Sequence, residues 1–211
     1  MNVSASKENI LKKIRKALTH STPLPFPQSE GNSSVYKPSQ KELEVEFAEQ
    51  LIKLQGKFIF CLTWQELAVQ LNTVIGHNAW DKIFCNDEEL KQKLGKNNFN
   101  NFSHTDLPSC DVAITGCEAL VARTGSILLS AVLAGGRTTS VYAPVHFCIA
   151  HTSQLVYDVK DGIQQMKDKY PDSLPSLITF ATGPSRTADI EKTLVVGVHG
   201  PKEVYVFLVD E

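Results

Sequence analysis

Two short segments near the end of the chain concentrate small and polar residues between apolar runs. They are Gly183–Pro184–Ser185–Arg186–Thr187–Ala188–Asp189–Ile190–Glu191 and Gly197–Val198–His199–Gly200–Pro201. Packing explains such a cluster poorly; a ligand explains it well. A Gly-Pro turn opening into a short helical turn, capped by Ser185 or Thr187, presents backbone amides, hydroxyls and one guanidinium, a set that suits a phosphate or carboxylate. On this reading Gly183, Ser185, Arg186, Thr187 and Gly200 bind the anion. Asp189 either holds Arg186 as a bidentate partner or works as an acid/base beside the ligand. His199, flanked by Gly197 and Gly200, turns its ring toward the crevice as the second acid/base candidate. An internal Arg186–Asp189 ion pair and a loop hydrogen bond of His199 are the purely structural alternatives.

Two further segments carry unexplained polar residues. In Thr115–Ser130 (TGCEALVARTGSILLS) a strand ends at Gly116, and Thr124–Gly125 turns into another. Ligands of α/β sheets collect beyond the carboxyl ends of strands, which makes Gly116, Thr124 and Gly125 rim candidates; simple turn chemistry is the alternative. Arg137 follows Gly135–Gly136 and can orient an anion. His146 and Cys148, two apart on a strand, face one side of it. With His151 nearby they suggest a metal site, but the spacing fits no zinc pattern, so His146 is read as a crevice or core histidine and no metal is expected.

The elements that hold these residues alternate. Helical spacing and charge mark Ser6–Leu18, with Ile10, Leu11, Ile14 and Leu18 on one stripe. A stretch with Pro23, Pro25, Pro27 and Pro38 then reads as an extended linker. Ser39–Glu42 spells a capping box before Phe47, Leu51 and Leu54, with Gly56 as the stop. Lys57–Leu62 is a buried strand, and Thr63–Glu66 repeats the box before Leu67, Leu71, Val74 and Ile75. A strand at Lys82–Cys85 precedes a helix at Asp87–Leu94. The second half is richer in strand: Asp111–Thr115, Ser126–Ser130, Val145–Ala150, Leu177–Ala181 and Val204–Val209, with one helix over Asp158–Tyr170. This rhythm predicts one α/β domain of three α/β/α layers around a mostly parallel sheet, over residues 39–211, preceded by a helical arm and linker over 1–38.

Composition bounds the rest. With 211 residues and 42% apolar content the chain can build a core without disulfides or metal. Its five cysteines form no CxxC pair, read as reduced and mostly buried, and offer no iron–sulfur ligation pattern. No apolar leader or membrane-length segment occurs, so a cytoplasmic protein without membrane insertion is expected. The net charge of −2 provides no global field for nucleic acid. Residues 1–20 nevertheless carry five basic side chains against Glu8 alone. That arm can dock on its own domain, on a second subunit in a homodimer, or on another partner.

The residues Gly183–Glu191 and Gly197–Pro201 resemble the GPSRTADIE and GVHGP motifs of the LUD domain, specifically the lactate-utilisation protein C family, and Pro144–Val145–His146 resembles that family's PxxH segment. The likeness runs from about Lys41 to Val209. It implies a fold like that of the ribose-5-phosphate isomerase, glucosamine-6-phosphate deaminase and CoA-transferase group. It also implies a part in oxidising L-lactate to pyruvate beside two iron–sulfur partner proteins, with this chain as the cluster-free member binding a small anionic metabolite. The family usually has Glu-Thr-Gly where this chain has Arg123–Thr124–Gly125. An acid/base role is therefore not carried to Arg123; either this member has altered chemistry, or Glu118, one helical turn upstream, substitutes for that acid. No cofactor is named by these residues. A stand-alone enzyme for a phosphorylated or CoA-linked metabolite, and a non-catalytic ligand-sensing or assembly module, are the competing readings.

Overall fold

The computed structural model describes residues 5–19, 41–103, 105–188, 194–197 and 199–210. Two compact units make up the chain, Met1–Pro38 and Ser39–Glu211. In the first, helix α1 spans Ala5–Leu18, and its apolar Ile10, Leu11 and Ile14 are exposed. The proline-rich linker expected after it lies outside the described residues.

The second unit opens with α2 (Leu43–Lys53), which buries Phe47 and Leu51 as their spacing predicts. Its start differs from the expected capping box. Glu42 itself occupies the N-cap position, and its side chain makes no capping bond; Ser39 lies outside the described residues. Strand β1 (Lys57–Cys61) leads to α3 (Trp64–His77). Here the expected cap holds: Thr63 Oγ1 accepts from the Glu66 amide at 3.1 Å, and Glu66 reaches back to the Leu62 amide at 2.8 Å. Strand β2 (Ile83–Cys85) and α4 (Glu88–Lys96) follow, with Asp87 accepting from the Leu90 amide at 3.0 Å.

Next come β3 (Val112–Thr115), β4 (Ala119–Val121), β5 (Ser126–Ser130), the four-residue helix α5 (Thr139–Tyr142) and β6 (Val145–His151). The chain continues through β7 (Leu155–Val156), α6 (Val159–Lys169) and β8 (Ile178–Ala181). It ends with β9 (Arg186–Ala188), β10 (Leu194–Val196) and β11 (Glu203–Val209). Five strands form the central sheet in the order β1-β11-β6-β3-β2, every adjacent pair parallel.

Alternation along β6 and β11 divides the core. Phe147 and Ile149, with Tyr205, Phe207 and Val209, pack toward α3 and α4. Cys148 and Ala150, with Val204, Val206 and Leu208, pack toward α2 and the residues behind it. Phe147 is fully buried; truncating such a side chain to alanine costs about 3–5 kcal/mol.

The mostly parallel α/β sheet is as expected, but a second sheet was not. Strands β4, β5, β7 and β8 form it in the order β7-β4-β5-β8, with β5 antiparallel to both of its neighbours. It packs between α2 and α6, so Ser126–Ser130 and Ile178–Ala181 belong to this layer. A second correction concerns the short helical turn expected after the Gly-Pro turn, capped by Ser185 or Thr187. Arg186–Ala188 instead pairs antiparallel with Leu194–Val196. Thr187, Val195 and Val196 are β-branched and favour an extended pair over a helix start.

Candidate functional site

The two motif turns and the Gly116 turn lie at opposite ends of the parallel sheet. At the amino end the two motif segments are tied to each other. The Ser185 amide donates to the Pro201 carbonyl at 2.9 Å, and the Gly197 amide donates to the Ser185 carbonyl at 3.0 Å. A Cβ on Gly200 would sit 2.9 Å from Ser185 Cβ, so the two turns touch only because this residue is glycine. The Lys202 amide then donates to the Pro144 carbonyl at 2.8 Å, fixing the second turn to the start of β6.

Between that turn and α5 lies a pocket of about 420 Å³, lined by Val141, Tyr142, Pro144, Gly197, His199, Gly200 and Lys202. Gly197 has φ +83°, and a Cβ there would meet Lys202 Cγ at 2.2 Å. The lysine stem crosses directly over this glycine, which both the backbone conformation and the close approach require. An ammonium, an imidazole and two glycine turns therefore border one concave surface, a set that can hold a carboxylate or phosphate.

Arg186 does not border that pocket. Its Nη2 donates to the Leu54 carbonyl just past the end of α2, where a cation also meets the negative end of the helix dipole. Gly183 packs against the same place, its Cβ position 3.0 Å from Leu54 Cβ. Gly125 (φ +62°) lies under α2, with a Cβ position 2.6 Å from the Leu51 amide nitrogen. Thr124 joins a hydroxyl chain, Thr124 Oγ1 to Ser126 Oγ and on to Thr182 Oγ1, each 2.8 Å. Thr187 stands in β9. Asp189 lies outside the described residues.

At the carboxyl end, Gly116 follows β3 and lines a crevice of about 180 Å³ together with Trp64, Asp87, Lys93, His151 and Gln154 among others. The Trp64 and His151 rings lie 5.4 Å apart, and Lys93 Nζ stands 5.4 Å from the Trp64 ring centre. Gln154 ties the floor together: its Nε2 donates to the Cys117 carbonyl at 2.7 Å, while its Oε1 accepts from the His151 amide at 2.9 Å. Sequence reasoning passed over Trp64, Lys93 and Gln154. Trp64 and Gln154 follow β1 and β6 within three residues, and Lys93 sits on the helix after β2, where the rule for α/β sheets points.

Glu118, Arg137 and His146 line neither pocket. Glu118 is buried and accepts from Ser130 Oγ, from Lys169 Nζ at 2.7 Å and from the Tyr170 hydroxyl at 3.1 Å. Its hydrogen bond holds Lys169 above the usual lysine range. Arg137 donates to Ser176 Oγ at 2.6 Å. His146 is 1% exposed, with Nε2 2.8 Å from Thr115 Oγ1. Burial pushes its pKa down to about 4, so it is neutral at pH 7. Among the described residues no three His, Cys, Asp or Glu side chains gather as a metal site. Nor is any described helix long and apolar enough to cross a membrane.

Arg123 turns away from both pockets to α6. Its Nε and Nη2 reach Asp158 Oδ2 and Oδ1, each at 3.1 Å, where Asp158 caps the helix. The guanidinium holds the Asp158 carboxyl below its usual range against the opposing effect of burial.

Residues 45–209 match the family model of the LUD domain. Relatives include a lactate utilization protein C of Deinococcus radiodurans, 33% identical over 51% of this chain and 50% of its own. Another protein of that name, from Macrococcus caseolyticus, is 36% identical over 48% and 45%. These matches span about half the length of those relatives. A third, from Anoxybacillus flavithermus, is 28% identical over 82% of this chain and 83% of its own. In three dimensions the chain is similar to the crystal structure of a DUF162 family protein from Deinococcus radiodurans. The TM-score is 0.61 at 18% identity, over 82% of this chain and 99% of that one, a likeness of fold.

Proposed function

Because the chain belongs to the LUD domain family, we propose that it serves in lactate utilisation, as the member that binds the small carboxylate while iron–sulfur partner proteins carry electrons. Oxidation of L-lactate to pyruvate breaks the O–H and C2–H bonds and releases two electrons and two protons; the partners take the electrons, this chain takes the hydroxyl proton, and water takes the proton from C2. This chain's share is to bind and orient the substrate and to accept a proton. Residues 39–211 form the ligand-binding domain, and residues 1–38 form an arm.

The observation that carries this reading is the joining of the two motif turns beside one pocket that presents both Lys202 and His199. Lys202 pairs with the carboxylate, and the glycine turns add backbone dipoles. His199, exposed at the mouth, accepts the proton of the 2-hydroxyl. Arg186 shapes the site through its bond at the end of α2.

The test is reconstitution. The two iron–sulfur proteins should oxidise lactate with this chain and lose most of that rate without it; an undiminished rate would refute the role. Thermal unfolding with lactate or pyruvate reads the pocket separately. A ligand at a hundred times its Kd adds about 2.7 kcal/mol, about 5–10 °C for a domain of this size. That shift should disappear in Lys202→Ala. A shift that persists in this variant places the carboxylate elsewhere.

A further inference from the structure

A groove of about 800 Å³ follows the seam between α2 and β1 and shares no lining residue with either pocket described above. Among the described residues, strand β1 stands at the edge of the parallel sheet, with β11 as its one neighbour there. The groove floor is apolar: Val45, Ala48 and Ile52 from α2, Phe58 and Phe60 from β1. Val45 is 46% exposed, Ile52 58% and Phe60 41%.

Helix α2 thus carries two apolar stripes. Phe47 and Leu51 face the core, whereas Val45, Ala48 and Ile52, at spacings of three and four, face outward. A surface helix needs only the first, and a contiguous exposed apolar patch marks an interaction site. The rim is acidic, formed by Glu42, Glu44, Glu49 and Asp210. The nearby cation Lys41 is bonded to Glu49. Two copies placed face to face across this groove would oppose their carboxylates. The charge instead selects a basic occupant, and the shape selects a helix. Eleven residues of α2 give about 16 Å, three turns, enough to receive apolar anchors spaced i, i+3 or i+4, and i+7.

We propose that this groove is the docking site for a basic amphipathic helix of a partner polypeptide, its apolar side chains laid on Val45, Ile52 and Phe60 and its Lys or Arg side chains set against the rim carboxylates.

The probe is a fluorescent 14-residue peptide with leucine at helical i, i+3, i+4 and i+7 positions and lysine at the others. Anisotropy with the full chain should show saturable binding that weakens as salt rises, because the rim pairs are screened. Binding should fall at least tenfold in Ile52→Glu, in the double variant Glu44→Lys/Glu49→Lys, and for the same peptide carrying glutamate in place of lysine. Should Ile52→Glu fail to fold, Val45→Glu reads the same floor. Equal affinity for the wild type and both groove variants, or for the acidic peptide, would overturn the proposal. So would a dimer in sedimentation velocity that Ile52→Glu dissolves, because it assigns the face to a second copy.

Discussion

Arg123→Ala tests whether Arg123 is committed to helix α6. The Arg123 side chain is 23% exposed and the Asp158 side chain 11%, and they meet through two bonds of 3.1 Å. Breaking a fully buried pair costs about 3–5 kcal/mol, and a surface pair contributes at most about 1 kcal/mol. Asp158 keeps its bond to the first turn of α6 when the arginine is gone, so the loss should be about 2 kcal/mol. Asp158→Ala removes the cap as well, which adds about 1 kcal/mol and brings that variant to about 3 kcal/mol. If the pair is real, the double variant loses less than the sum, with a coupling of about 1.5 kcal/mol.

Urea unfolding of all four proteins measures this, and pH supplies an independent reading. The folded Asp158 pKa is lowered, chiefly by the Arg123 hydrogen bond. The stability it contributes is therefore full above the unfolded carboxylate pKa and is lost as pH falls through the folded value. Arg123→Ala should move that acid limb to higher pH. Arg123→Glu, which sets two carboxylates together, should be less stable than Arg123→Ala. Additivity within about 0.3 kcal/mol, or an unmoved acid limb, would refute the assignment.

Three further outcomes follow from packing and burial. His146 has a folded pKa of about 4 against an unfolded one of about 6.5. Stability should thus fall as pH drops below about 6.5, losing about 3 kcal/mol by pH 4, and His146→Gln should flatten that part of a pH–stability curve. Gly125→Ala, at φ +62° and 2.6 Å from the Leu51 amide nitrogen, should cost more than about 2 kcal/mol in urea unfolding. Glu118→Gln keeps the volume but takes the anionic acceptor from all three donors around the carboxyl and sets an NH2 donor among them; a loss of about 1–3 kcal/mol is expected by thermal or urea unfolding.

The central sheet was legible chiefly through two of its strands, Val145–His151 and Glu203–Val209, which are seven residues long and mostly apolar. The caps at Thr63 and Asp87 were legible for the same local reason. The second sheet was not, because β4 has three residues and β7 two, too few for a periodic signal. The site was readable in its residue types but not in its placement. Gly116 and His199 lie at opposite ends of the parallel strands, and no local pattern records which end of a sheet a turn will cover. The Arg123–Asp158 pair joins residues 35 apart in sequence, so it depends on where α6 docks. Arg186 looked like an anion ligand, yet its partner is a backbone carbonyl, and sequence shows no signal for that.

All five cysteines are buried. Burial pushes Cys61, Cys85 and Cys110 up to about 11, and a hydrogen bond with Cys117 together with burial raises Cys148 as well. A thiol at pKa 11 is about one part in ten thousand thiolate at pH 7, and the thiolate is the form that reacts. Cys61, Cys85, Cys110 and Cys148 are therefore a nearly silent background for chemical labelling. A single cysteine introduced at an exposed position, such as Val69 or Leu177, can carry a fluorophore or spin label while these four thiols stay in place.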